Sequence, residues 1–291
     1  MGSVRRAFAR FLEGIEPTAE EARQVEAQLG ELRGELRSRM RGIERDLVIG
    51  AYQRGTAIRP LYDVDLLLVM NRREHGGRLD GPPHVLLEEL ARGVREIEGA
   101  ARPEVRLRGR AVNVGFAASG VGFDLIPAFA AGPERVFRIP DRGRQTWIST
   151  SPERHRARLA RASKLTGGLL PPIIRAAKLW NREQAGSDGR RPLSSFHIEA
   201  AAYGAFDRPP ASERHGLAEL LMWMTERVRY ACADPGEVGP NVDAALTAAD
   251  RTRLRGLLHD AAMVARDAIE REARGDDDGA IAGWERLLGA A

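Results

Sequence analysis

The fold is decided by residues 50–70, which read GAYQRGTAIRPLYDVDLLLVM. The first half is a turn with two glycines, and the second half is an apolar run that is typical of a buried strand. Because side chains i and i+2 of a strand point to the same face, Asp63 and Asp65 are expected to project two carboxylates from one side. The stretch therefore predicts a paired acidic site at the start of a buried strand.

A third carboxylate, Asp124, interrupts another apolar run, GFDLIPAF at residues 122–129. A charge in such a strand needs partners or a metal ion, and carboxylate oxygens suit Mg²⁺ and Mn²⁺. Taken singly, an Asp-x-Asp pair is common at solvated strand ends, and Asp124 alone fits a buried carboxylate bonded to backbone amides. Together, Asp63, Asp65 and Asp124 are predicted to be catalytic residues that hold two Mg²⁺ or Mn²⁺ ions about 3.5–4 Å apart.

The turn that precedes the strand is the predicted phosphate site. The small residues Gly50 and Ala51 let backbone N–H groups approach a triphosphate closely, and a helix N-terminus after the turn favours anions. Thr56 adds a hydroxyl near the end of the turn. A glycine-rich turn alone is weak evidence, and it gains weight from the acidic residues that follow it.

The chain divides into a mixed first half and a helical second half. A capping box from Thr18 to Glu21 opens a long second helix. The predicted elements are helices at 4–14, 18–46 and 84–99, a loop at 71–83, strands at 63–70, 104–107, 111–116 and 121–127, and helices at 152–166, 171–180, 195–206, 214–232, 250–274 and 279–288. This order predicts an α+β protein of two lobes. We expect a mixed β-sheet catalytic lobe with N-terminal helices at 1–150 and a helical nucleotide-binding lobe at 151–291.

The composition limits the partners and the cellular location that are expected for the protein. The 291 residues are 43% hydrophobic, which is ample for a core, and the net charge of +4 is too small to indicate a nucleic-acid partner. Cys232 is the only cysteine, so neither an intramolecular disulfide nor a zinc-ligand pattern is expected. No signal peptide is recognisable, and no apolar run approaches the roughly 20 residues that a membrane span needs. We expect a cytoplasmic protein.

The stretch from residue 50 to residue 70 resembles the signature of the polymerase-beta-type nucleotidyltransferase superfamily. More closely, it is similar to bacterial CD-NTases, the cGAS-like and oligoadenylate-synthase-like enzymes that make cyclic oligonucleotide signals in anti-phage defence. That clade reads Gly-Ser-Tyr-x-Arg-Gly-Thr-Ala-Ile and then Asp-Val-Asp, and its third acidic residue lies in a strand similar to residues 124–128. The resemblance continues more weakly at 173–181, 193–199, 234–242 and 280–289. This chain departs from the pattern at Ala51, where the family has Ser and a side-chain hydroxyl to the phosphate.

The resemblance implies a polymerase-beta-like fold and a set of nucleotide contacts. It implies that the donor triphosphate is lined by Gly50, Ala51 and Thr56, that its outer phosphates are contacted by Lys178 and Ser195, and that its base stacks on Phe196. The family commonly has Tyr at the last position, and an aromatic face stacks on any base. Each contact has a structural alternative: a lysine that snorkels, a serine that caps a helix and a phenylalanine in the core.

The resemblance also implies the function. It implies a template-independent enzyme that makes a cyclic di- or tri-nucleotide second messenger from ATP, GTP or pyrimidine nucleoside triphosphates and releases pyrophosphate. Its expected partners are a regulatory protein and an effector that binds the product, without a membrane and without a required nucleic acid. Two alternatives stay open: transfer of a nucleotide to tRNA, protein or an antibiotic, and a catalytically silent nucleotide-binding regulator.

Overall fold

A computed structural model describes residues 2–97, 103–116, 120–132 and 135–289 of the chain. The chain forms two compact units, one made of Pro17–Arg154 and the other of Met1–Glu16 together with His155–Ala291. The first contains a β-sheet with helices, and the described part of the second contains helices and connecting loops. The predicted α+β class is confirmed.

The sheet of the first unit is mixed. In the described part of the chain its strands are β1 (Ile43–Val48), β2 (Val64–Met70), β3 (Glu104–Leu107), β4 (Val112–Gly115), β5 (Gly122–Ala130), β6 (Phe137–Asp141) and β7 (Thr146–Thr150). Their order is β1-β2-β5-β4-β3, and β6 pairs with both β5 and β7. β2 and β5 are parallel, and the other described pairs are antiparallel. The two acidic motifs of the sequence are therefore on adjacent strands.

The helices of the first unit include α2 (Ala19–Arg39), α3 (Gly50–Gln53), α4 (Arg72–His75) and α5 (His84–Arg95). The predicted capping box is confirmed, because the Thr18 hydroxyl accepts a hydrogen bond from the backbone N–H of Glu21 at 3.1 Å, and the Thr18 N–H donates to the Glu21 carboxylate at 2.8 Å. The segment 71–83, predicted to be a loop, instead contains α4 and a short 3₁₀ helix at Gly76–Asp80.

The predicted helix 18–46 is wrong in its last part. α2 ends at Arg39, Gly42 takes a positive φ of 76°, and the following residues form β1. β1 pairs antiparallel with β2, with Val48 opposite Leu66. This pairing with a strand later in the chain outweighs the local helical pattern. The predicted helix 84–99 ends at Arg95, and its last two positions lie outside the described residues.

Alternation along β2 and β5 sorts their side chains onto two faces of the sheet. Leu66 lies in the larger core, which includes residues of α2 and α5. Leu67 and Ile126 belong to a smaller cluster on the opposite face. Because Asp65 and Asp124 each lie two residues before a member of that smaller cluster, both carboxylates project from the same face.

In the described residues, the second unit contains α1 (Ser3–Ile15), α6 (Pro152–Leu165), α7 (Leu170–Glu183), α8 (Ser195–Ala202), α9 (Glu213–Arg227), α10 (Ala248–Ala273) and α11 (Asp277–Leu288). α6 begins just before the boundary between the units. α7 is the central helix, because it is buried almost throughout and contacts α1, α8, α9 and α11. α9 comes so close to α7 that a Cβ on Gly216 would collide with Ile173. No described helix has the length and apolar character needed to cross a membrane.

The first helix belongs to the helical unit, and not to the first unit as the expected range 1–150 has it. The Phe8 ring of α1 packs edge-to-face on Trp284 of α11 with centroids 5.0 Å apart. The Ser3 hydroxyl also donates a hydrogen bond to Asp277. Both side chains of the aromatic pair are almost fully buried, so the apolar face of α1 is matched by a partner far along the chain.

Candidate active site

The two strand aspartates lie side by side. In the parallel pairing of β2 with β5, Asp65 is the register partner of Asp124. Across the antiparallel pairing with β4, Asp124 is opposite Asn113. Because register partners on one face of a sheet have neighbouring side chains, the sheet brings the two predicted carboxylates together.

Asp63 lies in the segment just before β2 and is exposed. The backbone of this segment is fixed against β5: the Gly122 N–H donates to the Leu61 carbonyl at 3.0 Å. A Cβ on Gly122 would collide with the carbonyl oxygen of Tyr62. Glycine therefore allows the two backbones to approach closely beside the acidic residues.

Asp124 is held by two side-chain donors. The Asn113 amide donates to its Oδ1 at 2.7 Å, and the Arg108 guanidinium donates to its Oδ2 at 3.2 Å. Burial raises the pKa of the Asp124 carboxyl above its ordinary value, and the Asp63 charge raises it further, against the opposing effect of Asn113 and Arg108. The influence of Asp63 on this pKa places the two acidic groups in one electrostatic environment.

The fit of a divalent cation to this site can be judged from its donors. Among the described residues, no three His, Cys, Asp or Glu side chains are gathered into a cluster ready to hold a metal ion. Asp65 and Asp124 nevertheless supply carboxylate oxygens from one face of the sheet, which is the ligand chemistry that Mg²⁺ and Mn²⁺ prefer. The Arg108 guanidinium supplies positive charge at Oδ2 of Asp124, in the role that a metal cation would fill. The donor set fits a divalent cation.

The turn before the strand is built directly against Asp65. Gly50 has a positive φ of 73°, and a Cβ on it would overlap the Asp65 carboxylate. The Ile49 N–H donates to the Asp65 carbonyl at 2.9 Å. Because a side chain at position 50 would displace the carboxylate, Gly50 is needed here for both its conformation and its missing Cβ.

The rest of the turn differs from the expectation in two ways. α3 has only four residues, so the predicted helix N-terminus is a single turn, and any affinity for anions must come from the backbone N–H groups of the turn. Thr56 is fully buried, its N–H donates to the Ala51 carbonyl at 2.9 Å, and its hydroxyl lies 3.4 Å from the same oxygen. Thr56 thus stabilises the turn from inside, and its contact with a phosphate stays a prediction.

Lys178 is buried in α7 and forms an ion pair. Its Nζ donates to Oε1 of Glu199 in α8 at 2.6 Å, and both side chains are almost fully buried. The Tyr203 hydroxyl donates to the other carboxylate oxygen of Glu199 at 3.1 Å. The snorkelling alternative is therefore wrong, and a phosphate contact of Lys178 stays a prediction.

The start of α8 contains the other two predicted nucleotide contacts. Ser194, and not Ser195, caps this helix: its hydroxyl accepts a hydrogen bond from the His197 N–H at 3.1 Å. Ser195 is half-buried, and the capping alternative for it is wrong. Phe196 is also half-buried, and its ring lies 5.0 Å from the imidazole of His155, centroid to centroid.

Four residues around these predicted sites were not singled out from the sequence. Asn113 and Arg108 hold Asp124, and His155 forms a buried hydrogen bond to Asp234 at 2.7 Å. Asn113 left a signal, because it is a polar residue between two valines of a buried strand. His155 and Asp234 are 79 residues apart, and neither local pattern indicates the other.

Comparisons with known proteins match the chain to a family model and to a relative of known activity. Residues 1–162 match the family model described as Second Messenger Oligonucleotide or Dinucleotide Synthetase domain. The chain is 26% identical to the cyclic AMP-AMP-AMP synthase of Acinetobacter sp. (strain ATCC 27244 / 9458), across 82% of this chain and 70% of that protein.

Solved structures share the fold over nearly the whole chain. CdnC of E. coli MS115-1, solved with ATP, has a TM-score of 0.72 at 19% identity and covers 98% of this chain and 97% of its own. The CD-NTase CdnG of Bradyrhizobium diazoefficiens, solved with GTP, has a TM-score of 0.72 at 14% identity and covers 99% of each chain. The predicted polymerase-beta-like fold is confirmed. The chain belongs to the Second Messenger Oligonucleotide or Dinucleotide Synthetase family, whose members are nucleotidyltransferases that use divalent metal ions and make cyclic oligonucleotides.

Proposed function

We propose that this chain joins nucleoside triphosphates, with ATP as the first candidate, into a cyclic di- or tri-nucleotide that serves as a second messenger in anti-phage signalling. The observation that carries the proposal is the β2–β5 register, which pairs Asp65 with Asp124 beside the Gly50 turn. ATP is the first candidate because one relative is a cyclic AMP-AMP-AMP synthase and another was solved with ATP.

The acidic residues are assigned the metal site. Asp63, Asp65 and Asp124 would hold two Mg²⁺ or Mn²⁺ ions, which when bound supply positive charge at the attacking and leaving oxygens. Asp124 is also the group we assign to accept the proton of the acceptor hydroxyl, since burial favours the protonated form of its carboxyl.

The reaction that these residues serve is a displacement at phosphorus. A ribose hydroxyl oxygen of the acceptor bonds to the α-phosphorus of the donor, and the bond from that phosphorus to the pyrophosphate oxygen breaks. Backbone N–H groups at Gly50 and Ala51 bind the donor triphosphate, and a turn stabilised by Thr56 keeps them in place. Repeating the step within the linear product closes the ring and releases a further pyrophosphate.

The remaining nucleotide contacts are assigned to the helical unit, which we propose is the nucleotide-binding lobe. Lys178 and Ser195 would contact the outer phosphates, and the Phe196 ring would stack on the donor base. The Lys178 ammonium combines a positive charge with three donor protons, which is the chemistry that suits phosphate oxygens. The missing hydroxyl at Ala51 is expected to weaken phosphate binding and not to abolish it, since the backbone contact does not depend on the side chain.

We also propose a regulatory partner of the kind bound by a relative. CdnC of E. coli MS115-1 was solved in a complex with HORMA-deltaN, and its fold covers 98% of this chain at a TM-score of 0.70. A protein of the HORMA type is therefore the first partner to test as an activator, and a separate effector would bind the product.

The test is product analysis. The full chain is incubated with ATP, GTP, CTP and UTP, singly and mixed, with Mg²⁺ or Mn²⁺, and the products are analysed by mass spectrometry before and after nuclease P1. The proposal predicts pyrophosphate together with a phosphatase-resistant product whose mass is a whole number of nucleoside monophosphates less one water each. Nucleotide transfer to an added tRNA, protein or antibiotic without such a product would contradict it.

A further inference from the structure

His155 and Asp234 form a buried pair in the helical unit. Nε2 of His155, near the start of α6, lies 2.7 Å from Oδ1 of Asp234, and both side chains are more than nine-tenths buried. Asp234 lies in the loop between α9 and α10. Neither side chain is needed for the metal site or the phosphate contacts assigned above, so the pair calls for an explanation of its own.

The loop closes around the Asp234 carboxylate. Its Oδ2 accepts the backbone N–H of Gly239 at 2.9 Å and that of Val238 at 3.3 Å. Although burial opposes the charged form, these bonds and the one from His155 lower the pKa of Asp234 to about 2. Because the ionised carboxylate only accepts hydrogen bonds, Nε2 of His155 carries a proton and is the donor.

The His155 ring is fixed from two further directions. A Cβ on Gly236 would come within 2.9 Å of Nε2 of His155, so the loop backbone packs directly against the imidazole. The other neighbour is Phe196, whose ring centroid lies 5.0 Å away with an interplanar angle of 53°. Phe196 lies in the first turn of α8, which begins directly after the N-cap residue Ser194. The imidazole is therefore enclosed between the loop and the aromatic ring.

We propose that His155 and Asp234 are positioning residues, which fix the orientation of the half-buried Phe196 ring for stacking on the donor base. The inference rests on the proposed function, since it takes Phe196 as the stacking residue. The pair itself is too buried to contact a nucleotide, and it acts through the ring that it supports.

The first variant is Asp234→Asn. An asparagine has one acceptor oxygen, whereas Asp234 serves three donors with two oxygens, so either His155 or the loop loses its partner. The probe is 2-aminopurine riboside 5′-triphosphate, whose fluorescence is quenched when its base stacks, with Ca²⁺ in place of Mg²⁺ to limit turnover. We expect its Kd to rise about three- to tenfold, which is part of the full stacking contribution.

A double-mutant cycle separates positioning from general damage. Phe196→Leu removes the aromatic face, and Asp234→Asn is then added to it. If the pair acts through the ring, Asp234→Asn changes Kd in the wild-type background and has no further effect in the Phe196→Leu background. Gly236→Ala, which pushes on the imidazole, is a second and milder variant that should give the same pattern.

The matched control is Glu272→Gln. It breaks a part-buried ion pair with Arg214 between α9 and α10, which lies outside the contacts of Phe196. This variant should lower the melting temperature and leave probe binding unchanged. Additive effects of Asp234→Asn and Phe196→Leu on Kd would overturn the positioning role. If Phe196→Leu itself leaves Kd and quenching unchanged, it is the stacking assignment of the proposed function that fails.

Discussion

At the scale of single residues, the site depends both on a missing side chain and on the hydrogen-bond partners of its charged groups. Gly50 has no Cβ, and this leaves the space that the Asp65 carboxylate occupies. Asp124 is joined by an amide and a guanidinium, and Lys178 is joined by a carboxylate. Sequence reasoning found the aspartates because a charge in an apolar strand is locally visible. It could not find Arg108 or Asn113 as partners of Asp124, because their contact depends on strand pairing.

Gly50→Ala tests whether the turn positions Asp65. The new Cβ would overlap the carboxylate, and a displacement of that size should reduce the rate of product formation by about a hundredfold or more. Gly275→Ala is the control, because Gly275 also has a positive φ and has open space at its Cβ. Both variants should lose about 1–2 kcal/mol of stability to backbone strain. Equal activity of the two variants would remove Gly50 from the site.

Variants of Lys178 and Glu199 can separate the structural role of their ion pair from a role of Lys178 in nucleotide binding. Glu199→Gln leaves a buried lysine without its charged partner and should lower the free energy of unfolding by about 3–5 kcal/mol. Replacing both, as Lys178→Met with Glu199→Leu, should recover most of that loss, because a buried ion pair and an apolar pair are similar in stability.

The KM of the double variant for the triphosphate then tests whether Lys178 contacts a phosphate. If Lys178 contacts a phosphate, the double variant should be stable and still show a KM for the triphosphate about tenfold or more higher than that of the wild type. A normal KM in a stable double variant would mean that the pair is purely structural.

At the scale of elements, the β2–β5 pairing is what turns two local motifs into one site. β2 and β5 were predicted to within a few residues, since their apolar runs are strong local signals. Most of β1 was predicted as the end of a helix, because its strand conformation comes from pairing with β2 and not from its own pattern. The paired residues are 18 positions apart at Val48 and Leu66 and further apart elsewhere. β6 and β7, which extend the sheet beyond β5, were not predicted from the sequence.

Gly122→Ala tests the close approach of β5 to the segment before β2. The Cβ would collide with the Tyr62 carbonyl, so the backbone next to Asp63 must move. Mn²⁺ affinity, measured by electron paramagnetic resonance, should fall about tenfold or more. Gly115 is the register partner of Gly122 across β4, and a Cβ there has its nearest neighbour at 4.0 Å. Gly115→Ala should therefore bind Mn²⁺ as the wild type does, and a similar loss in both variants would contradict the account.

The loop that holds Asp234 predicts a pH-dependent stability. The folded-state pKa of about 2 is below the ordinary 3.8, so the stabilisation is fully present above 3.8 and is lost as pH falls towards 2. The shift corresponds to about 2 kcal/mol at about pH 7 and to roughly half of that at about pH 3. The free energies of unfolding of the wild type and Asp234→Asn, measured in urea, should differ less and less as the pH is lowered. A constant difference would contradict the assignment.

At the scale of the whole molecule, the chain consists of two compact units, and the predicted site residues are divided between them. Asp63, Asp65, Asp124 and the Gly50 turn belong to the first unit, whereas Lys178, Ser195 and Phe196 belong to the helical unit. The helical character of the second half was readable from periodicity. The periodicity did not show that the first helix belongs to the helical unit, because the edge-to-face packing of Phe8 on Trp284 joins residues near opposite ends of the chain.

The central claim is that the paired acidic residues are the catalytic centre of a cyclic oligonucleotide synthase, and one measurement tests it most directly. Product formation from ATP and the other triphosphates is compared between the wild type and the Asp63→Asn/Asp65→Asn double variant, with melting temperatures as the check on folding. We predict a folded double variant whose product falls by about three orders of magnitude or more, because the oxygens that bind the cations are lost. A double variant that makes the same product at a comparable rate would contradict the account.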